Sequence, residues 1–292
     1  MTTSTQQHSL QIDVSDTNIA TIWLNGGERP VVVLDRDLIQ RLNTTLDALA
    51  QMDGIKGLIL RSDCARVFVA GADLAEIDGL DDPGLHAYLA FGTTVFGRIA
   101  DLPYPTVALI NGATLGGGLE IAMHCDALIA SKKTTSGKPY PIGLPEASLG
   151  LCPGWGGSQM LASRIDAETA IVATATGKPF LSTDMPSGLV AELVATPEEL
   201  QSAAENWLQG AKPGNTPCPV ITNDNADSCQ NGLSKAKDTL EANESVKAVF
   251  LAIETGIADG WAAAVAIEQC ELVQLRNTPE AREKLETFLS KG

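Results

Sequence analysis

Pro105-Thr106-Val107-Ala108-Leu109-Ile110-Asn111-Gly112, followed at once by Ala113-Thr114-Leu115-Gly116-Gly117-Gly118-Leu119-Glu120, is the stretch on which the fold turns. Its first half is a short apolar run bounded by Pro and Gly, which reads as a buried strand. Its second half sets three glycines between strand and helix and puts Glu120 in the first turn of that helix. Backbone without Cβ atoms can approach a ligand closely and turn its N–H groups outward. An acid near a helix start is also an ordinary electrostatic preference, so a plain flexible turn accounts for the same residues. The stretch lacks the Gly-Lys-Ser/Thr of a phosphate loop and the Gly-x-Gly-x-x-Gly of a dinucleotide fold.

On either side, strand and helix signals alternate. Leu10, Ile12, Val14, Ile19, Ile22 and Leu24 predict a hairpin over 9–24, with Asn25-Gly26-Gly27 as a turn. Leu38, Ile39, Leu42, Leu46 and Leu49 recur at helical spacing between Asp37 and Met52, with Asp35 or Asp37 as the cap. Gly57–Ser62 and Ala127–Ser131 read as short strands, and His86–Ala100 and Glu120–Cys125 as helices. Such alternation predicts an α/β architecture with parallel strands. After residue 155 the pattern turns helical, over 157–164, 167–176, 182–189 and 197–209. Residues 210–232, rich in Pro, Gly and Asn, read as a linker or long loop. From Ser234 onward two or three helices are expected. Val249, Ile253, Trp261, Ala264, Ile267, Leu272, Leu275, Leu285 and Leu289 form apolar stripes there, of the kind that makes a core or a subunit interface. The expected organisation is a core over 1–200 that carries the site, an extension over 201–233 and a helical region over 234–292.

The chain has 292 residues, 44% of them hydrophobic, enough for a full domain with an appendage. No run approaches the roughly 18 apolar residues of a membrane span. The polar start, Met1 to His8, has no basic and apolar signal pattern, and the six cysteines form no CxxC pair. A cytoplasmic protein with reduced thiols is expected. A formal charge of −16 argues against nucleic acid or an anionic membrane as the main partner. It leaves room for an anionic small molecule received by a local group of Lys and Arg. His8, His86 and His124 show no ligand spacing, so no metal is expected.

Two further segments carry chemistry. Val69-Ala70-Gly71-Ala72-Asp73 precedes an apolar-periodic stretch, and Asp73 fits a helix cap. The N–H of Ala72, with that of Gly117, would make a pair of donors for a carbonyl oxygen that gains charge. Pro145-Glu146-Ala147-Ser148-Leu149-Gly150-Leu151-Cys152-Pro153-Gly154-Trp155-Gly156-Gly157 supplies a second acid. Two acids and two donors around one carbonyl are equipment for proton transfer beside an enolate.

Taken together and in this order, the three segments resemble the crotonase (enoyl-CoA hydratase/isomerase) superfamily. The strand, Asn-Gly and Gly-Gly-Gly-x-Glu run is Asn111–Glu120; Gly-Ala-Asp is Gly71–Asp73; Pro-Glu-x-x-Leu-Gly-x-x-Pro-Gly-x-Gly-Gly is Pro145–Gly157. Val33–Arg36, Ile142–Glu146 and Thr278–Arg282 with Phe288-Leu289 are similar to the hydratase half of multifunctional fatty-acid oxidation proteins. The resemblance implies a crotonase fold, a spiral of repeated ββα turns with a C-terminal helical region. It implies reversible syn hydration of a trans-2-enoyl-CoA to a 3-hydroxyacyl-CoA, as in fatty-acid β-oxidation. Isomerisation and thioester hydrolysis in the same cavity are the rival activities, and an acyl-CoA-binding scaffold is the rival outside enzymes. Glu120 and Glu146 would flank the water and the double bond, Ala72 and Gly117 would form the oxyanion hole, and the Gly154 N–H would orient the water. Arg36, Arg66, Ala70, Asp73 and Lys291 are the candidates for coenzyme A contacts. The coenzyme A thioester would be the substrate, with no permanently bound cofactor, and the assembly a homotrimer or dimer of trimers. Two stretches depart from the family pattern: a longer connection over 132–141, placed to reshape the acyl pocket or a subunit contact, and the 210–232 segment.

Overall fold

Apolar runs that are continuous rather than alternating demand a sheet covered on both faces. The computed structural model, which describes residues 9–211 and 219–290, has one. The chain runs β1 (Gln11–Val14), β2 (Ile19–Leu24), α1 (Arg36–Leu49), β3 (Gly57–Ser62), β4 (Val67–Val69), α2 (Leu74–Gly79) and α3 (Asp82–Ala100). It continues through β5 (Thr106–Ile110), β6 (Ala113–Leu115), α4 (Gly117–Met123), β7 (Ala127–Ser131), β8 (Pro141–Gly143), a 3₁₀ turn (Glu146–Leu149), α5 (Gly157–Arg164) and α6 (Ala167–Thr176). β9 (Phe180–Leu181), β10 (Glu192–Val194), α7 (Leu200–Gly210), α8 (Ala226–Thr239), α9 (Glu244–Asp259), α10 (Trp261–Leu275) and α11 (Pro279–Leu289) complete it.

The larger sheet has the order β1-β2-β3-β5-β7-β10, parallel throughout except for the β1–β2 hairpin. Successive side chains of its strands go to opposite faces. Leu58, Leu60, Ala108 and Ile110 enter the main core, while Ile59, Val107, Leu109 and Ile129 meet Leu200, Ala203, Ala204 and Leu208 of α7. The smaller sheet, β4-β6-β8-β9, takes the second strand of each repeat: β3 is followed by β4, β5 by β6 and β7 by β8. A helix or helical turn closes each repeat, which is the expected spiral of ββα turns. β4, β6 and β8 run parallel, so their C-terminal ends lie side by side. Those ends lead into Gly71-Ala72, Gly116-Gly117 and Pro145-Glu146.

Several local expectations are corrected. Of the two candidate caps of α1, Asp35 accepts from Leu38 N at 2.7 Å, and Asp37 pairs with Arg41 instead. The predicted helix over 182–189 is a series of turns. Pro186 interrupts it, and Gly188 adopts φ +93° against the Arg164 carbonyl. The expected loop over 210–232 gives way to α8 at Ala226, with residues 212–218 lying outside those described. Its buried residues Cys229, Gly232, Leu233 and Ala236 share one helical face. Gly232 lies directly against the backbone of Ala167 and Glu168, where a side chain would not fit. The Asn- and Gly-rich composition hid that stripe. Beyond α8, three helices follow among the described residues, as expected for the stretch from Ser234 onward.

Arg276, at the end of α10, ties the C-terminal helices to the core. Its buried guanidinium donates to the carbonyls of Ile77 and Leu80 and to Asp82. Arg276→Met leaves two carbonyls without that partner and is expected to lower stability by about 3 kcal/mol, read from urea unfolding.

Candidate active site

The three strand ends of the smaller sheet open onto one cavity of about 300 Å³, which Ala72, Gly117, Glu120, Glu146 and Gly154 all line. Ala72 is held by a parallel bridge to Leu34, in which Leu34 N donates to Gly71 O and Asp73 N to Leu34 O. That pattern turns the N–H of Ala72 itself the other way. Gly117 opens α4, so its N–H has no carbonyl one turn back. Neither N–H has an acceptor among the described residues. Gly117 also backs onto the Trp155 indole, where a Cβ would lie 2.4 Å from Cζ3. Trp155 is fully buried, donates Nε1–H to Leu89 O at 2.9 Å and meets Tyr88 and Phe96 edge-on. It makes a rigid wall behind the donor pair.

Glu120 is buried, and its Oε1 accepts from Trp155 N and Gly157 N, each at 2.8 Å. Glu146 sits in the 3₁₀ turn after β8, and its Oε2 has no hydrogen-bond partner among the described residues. A Cβ on Gly116, whose φ is +54°, would come within 2.8 Å of Glu146 Oε1. Glycine at that position therefore leaves room for the carboxyl. The Gly154 N–H has no acceptor among the described residues, while its carbonyl accepts from Gln269 Nε2 at 3.3 Å.

A third acid, buried like Glu120, joins these two. Glu268 of α10 accepts from Gly156 N at 2.6 Å, from Ser158 N at 3.0 Å and from Ser158 Oγ at 2.5 Å. Four consecutive N–H groups, 155 to 158, thus alternate between Glu120 and Glu268. Sequence reading gave the C-terminal stripe no chemical role, and this is a correction: α10 supplies Glu268 and Leu272 to the site, and α11 supplies Phe288 to the cavity wall. A signal was present. Trp261, Ala264, Leu272 and Leu275 are spaced along one helical face, and Glu268 occupies the place on it where an apolar residue belongs.

Burial pushes all three carboxyls upward, because each charged form loses its water. Glu120 stands well above the usual carboxylate range, raised further by the charges of Glu146 and Glu268 and opposed by its two N–H donors. Glu146 is pushed up to about 8, chiefly by burial and then by Glu268. Glu268 is raised to about 7 by burial, against the Ser158 hydroxyl and its two N–H donors. Three such groups titrate as a set rather than singly. His124, pushed down to about 4 by burial, is neutral and sits with Nδ1 2.9 Å from the Glu120 carbonyl oxygen.

The coenzyme candidates are placed less uniformly. Ala70 lines the cavity mouth and is exposed. Asp73 caps α2 through Ala75 N at 2.9 Å and pairs with Arg29 at 2.8 Å. Arg36 is exposed and donates to Gly84 O at 3.1 Å. Arg66 is exposed, and like Arg36 and Asp73 it does not line the cavity. Lys291 lies outside the described residues. The 132–141 connection forms a turn, with Gly137 N donating to Thr134 O and Thr134 N to Lys138 O. It is anchored by the buried Tyr140, whose hydroxyl donates to Ser131 O at 2.6 Å, and it does not line the cavity either.

Residues 15–216 match the family model for enoyl-CoA hydratase/isomerase. Among solved structures, human mitochondrial delta3-delta2-enoyl-CoA isomerase superposes with a TM-score of 0.70 at 23% identity, over 97% of each chain. An enoyl-CoA hydratase from Bacillus halodurans gives 0.68 at 22% identity, over 95% of this chain and 99% of that one. Another from Bacillus anthracis gives 0.61 at 24%, over 97% and 96%. At these identities the structural likeness speaks for the fold, and the motif segments and the family match speak for the lineage. The chain belongs to the enoyl-CoA hydratase/isomerase family, within the crotonase superfamily.

Proposed function

We propose that this protein is an enoyl-CoA hydratase, adding water reversibly and syn to a trans-2-enoyl-CoA to give a 3-hydroxyacyl-CoA. The observation that carries the reading is the pairing, on one cavity, of two carboxyls with unlike partners and two N–H groups with no acceptor among the described residues. The thioester oxygen takes the N–H groups of Ala72 and Gly117, so the enolate forms where donors already point. Glu120, whose Oε1 accepts two N–H bonds that support its charged form against burial, acts as the base. It takes a proton from water as the water oxygen bonds to Cβ, while the Gly154 N–H helps to orient that water. Glu146, without a donor on Oε2 among the described residues, acts as the acid and gives its proton to Cα. Oxygen and proton arrive from the same side because both acids flank one face.

The coenzyme A thioester enters as substrate, and no permanently bound cofactor takes part in these steps. On a chain of charge −16 its phosphates need a local basic group, for which Arg36, Arg66 and Lys291 remain the candidates beside Ala70. The reading includes a homotrimer or dimer of trimers. It also includes a cytoplasmic setting in β-oxidation, supported by the five free cysteines among the described residues. No helix among them is long and apolar enough to cross a membrane.

One observation favours a second reading. A single carboxyl that gains and loses a proton near neutrality, as Glu146 does, suffices to move a double bond by shuttling one proton. The test mixes purified protein with trans-2-enoyl-CoAs of short to long chain and follows the conjugated thioester absorbance, with product analysis. Loss of absorbance with 3-hydroxyacyl-CoA formed supports hydration. If trans-2 substrates persist and a trans-3-enoyl-CoA gains absorbance, the protein is an isomerase and the hydratase reading falls.

A further inference from the structure

The seat of Glu120 is itself held from outside the motif segments. Trp155 N and Gly157 N point to Glu120 because the turn 154–158 has one particular conformation, with Gly156 at φ +91° as the cap of α5. The intervening N–H of Gly156 and the next one, Ser158, point the opposite way and are taken by Glu268. The Ser158 hydroxyl adds a third bond to that carboxylate and accepts in turn from Gln159 Nε2 at 3.0 Å, which also donates to Ala252 O at 2.9 Å. The two carboxylates grip the same turn from its two sides. If Glu268 is lost, two buried N–H groups lose their acceptor, and the turn is free to rotate them toward the neighbouring carboxylate of Glu120.

We propose that Glu268 is a positioning residue for the water-activating carboxylate: by holding Gly156 and Ser158 it fixes the turn that seats Glu120. This rests on the hydratase reading for its kinetic consequence and on geometry alone for its structural one. The groups that face Glu268 are Glu120 of α4, Glu146 of the 3₁₀ turn, Ser158 of α5 and Cys152, whose Sγ lies 3.5 Å from the Glu268 carbonyl oxygen. Glu271 of α10 acts on the same thiol, and His124 touches Glu120 from behind. Within this set Glu268 raises the proton affinity of both Glu120 and Glu146 by like-charge repulsion.

The test compares wild type, Glu268→Gln, Glu268→Asp and Ser158→Ala as full-length protein. Side-chain carboxyl ¹³C resonances, assigned with Glu120→Gln, are titrated without substrate, and kcat and KM are measured on whichever enoyl-CoA the wild type consumes. Glu268→Gln is expected to lower the Glu120 midpoint and to lower kcat by about 10- to 100-fold, with KM changed less than threefold. Glu268→Asp, which keeps the charge but shortens the reach, is expected to leave the midpoint high while kcat still falls. Ser158→Ala should lower kcat by a few fold. A Glu120 midpoint that does not move in Glu268→Gln, together with unchanged kcat, overturns the assignment. So does a Glu268→Gln too unstable to fold beside a Ser158→Ala of full kcat, because Glu268 would then be an anchor for α10 and nothing more. If the wild type converts no enoyl-CoA at all, the hydratase reading fails while the carboxyl titration still decides the positioning claim.

Discussion

Glu146→Gln is expected to lower turnover of a trans-2-enoyl-CoA by about 10³-fold or more while leaving the fold intact. The amide is the same shape as the acid but has no proton to give to Cα, so the loss should fall on kcat rather than KM. Glu120→Gln should fall as far, for a different reason: an amide cannot take the proton of water, and its NH₂ competes with the N–H groups of Trp155 and Gly157. Stability should move the other way for Glu146. Its carboxyl stands at about 8 in the folded chain, above the usual 4.5. Between those values the unfolded chain has released a proton that the folded chain keeps, so stability falls as pH rises through that window. The full penalty, on the order of 5 kcal/mol, is present above about pH 8 and absent below about pH 4.5. Glu146→Gln removes it. Thermal unfolding should place the variant above wild type by on the order of 5 °C at pH 9 and level with it near pH 4.5. Equal unfolding temperatures at pH 9 would falsify the view that Glu146 is held against its charge.

Gly156→Ala is expected to cost more than about 4 kcal/mol and to leave little folded protein. A Cβ there would lie 1.9 Å from Cη2 of Trp261, in collision with the indole, and φ +91° is hostile to any L side chain. Both causes act on a buried turn whose amide is bonded to Glu268, so neither can relax without breaking that bond. The two can be separated. Gly156→Ala with Trp261→Ala removes the collision and keeps the backbone strain, so it should recover part of the loss and not all of it. Denaturant unfolding of both variants, with activity measured on the soluble fraction, checks this. A single variant within 1 kcal/mol of wild type would show that the turn is softer than its contacts imply.

Much of this architecture is written in local pattern. β3, β7, α5 and α6 fall where periodicity places them, since each has one dominant apolar face or a wholly buried run. β4, β6 and β8 have three residues each, too short to show any period, so the second sheet was not legible although it carries the site. The turns over 182–189 were misread because helical spacing outweighed Pro186, and α8 was missed because Asn and Gly outweighed Cys229, Leu233 and Ala236. Glu120 and Glu146 stood out by their glycine-rich neighbours. Glu268 did not, because its meaning depends on N–H groups more than a hundred positions earlier, which no local window contains. The cause is general: a motif reports what a segment does for itself and is silent on what a distant helix does for the motif.

The alternating grip on residues 155–158 also has a consequence for when activity appears. Glu120 meets its donors 35 and 37 positions downstream, whereas Gly156 meets Glu268 112 positions further on. A chain made from its N-terminus therefore completes both sheets long before the residue that clamps the turn has been synthesised. Contacts of such separation close late, after most loop entropy has been overcome. The emerging spiral can be well formed and still inert, and the docking of α10 works as the last stage of assembly. In a gentle unfolding experiment the order should reverse, with turnover disappearing as the C-terminal helices loosen and before the sheets lose their strands.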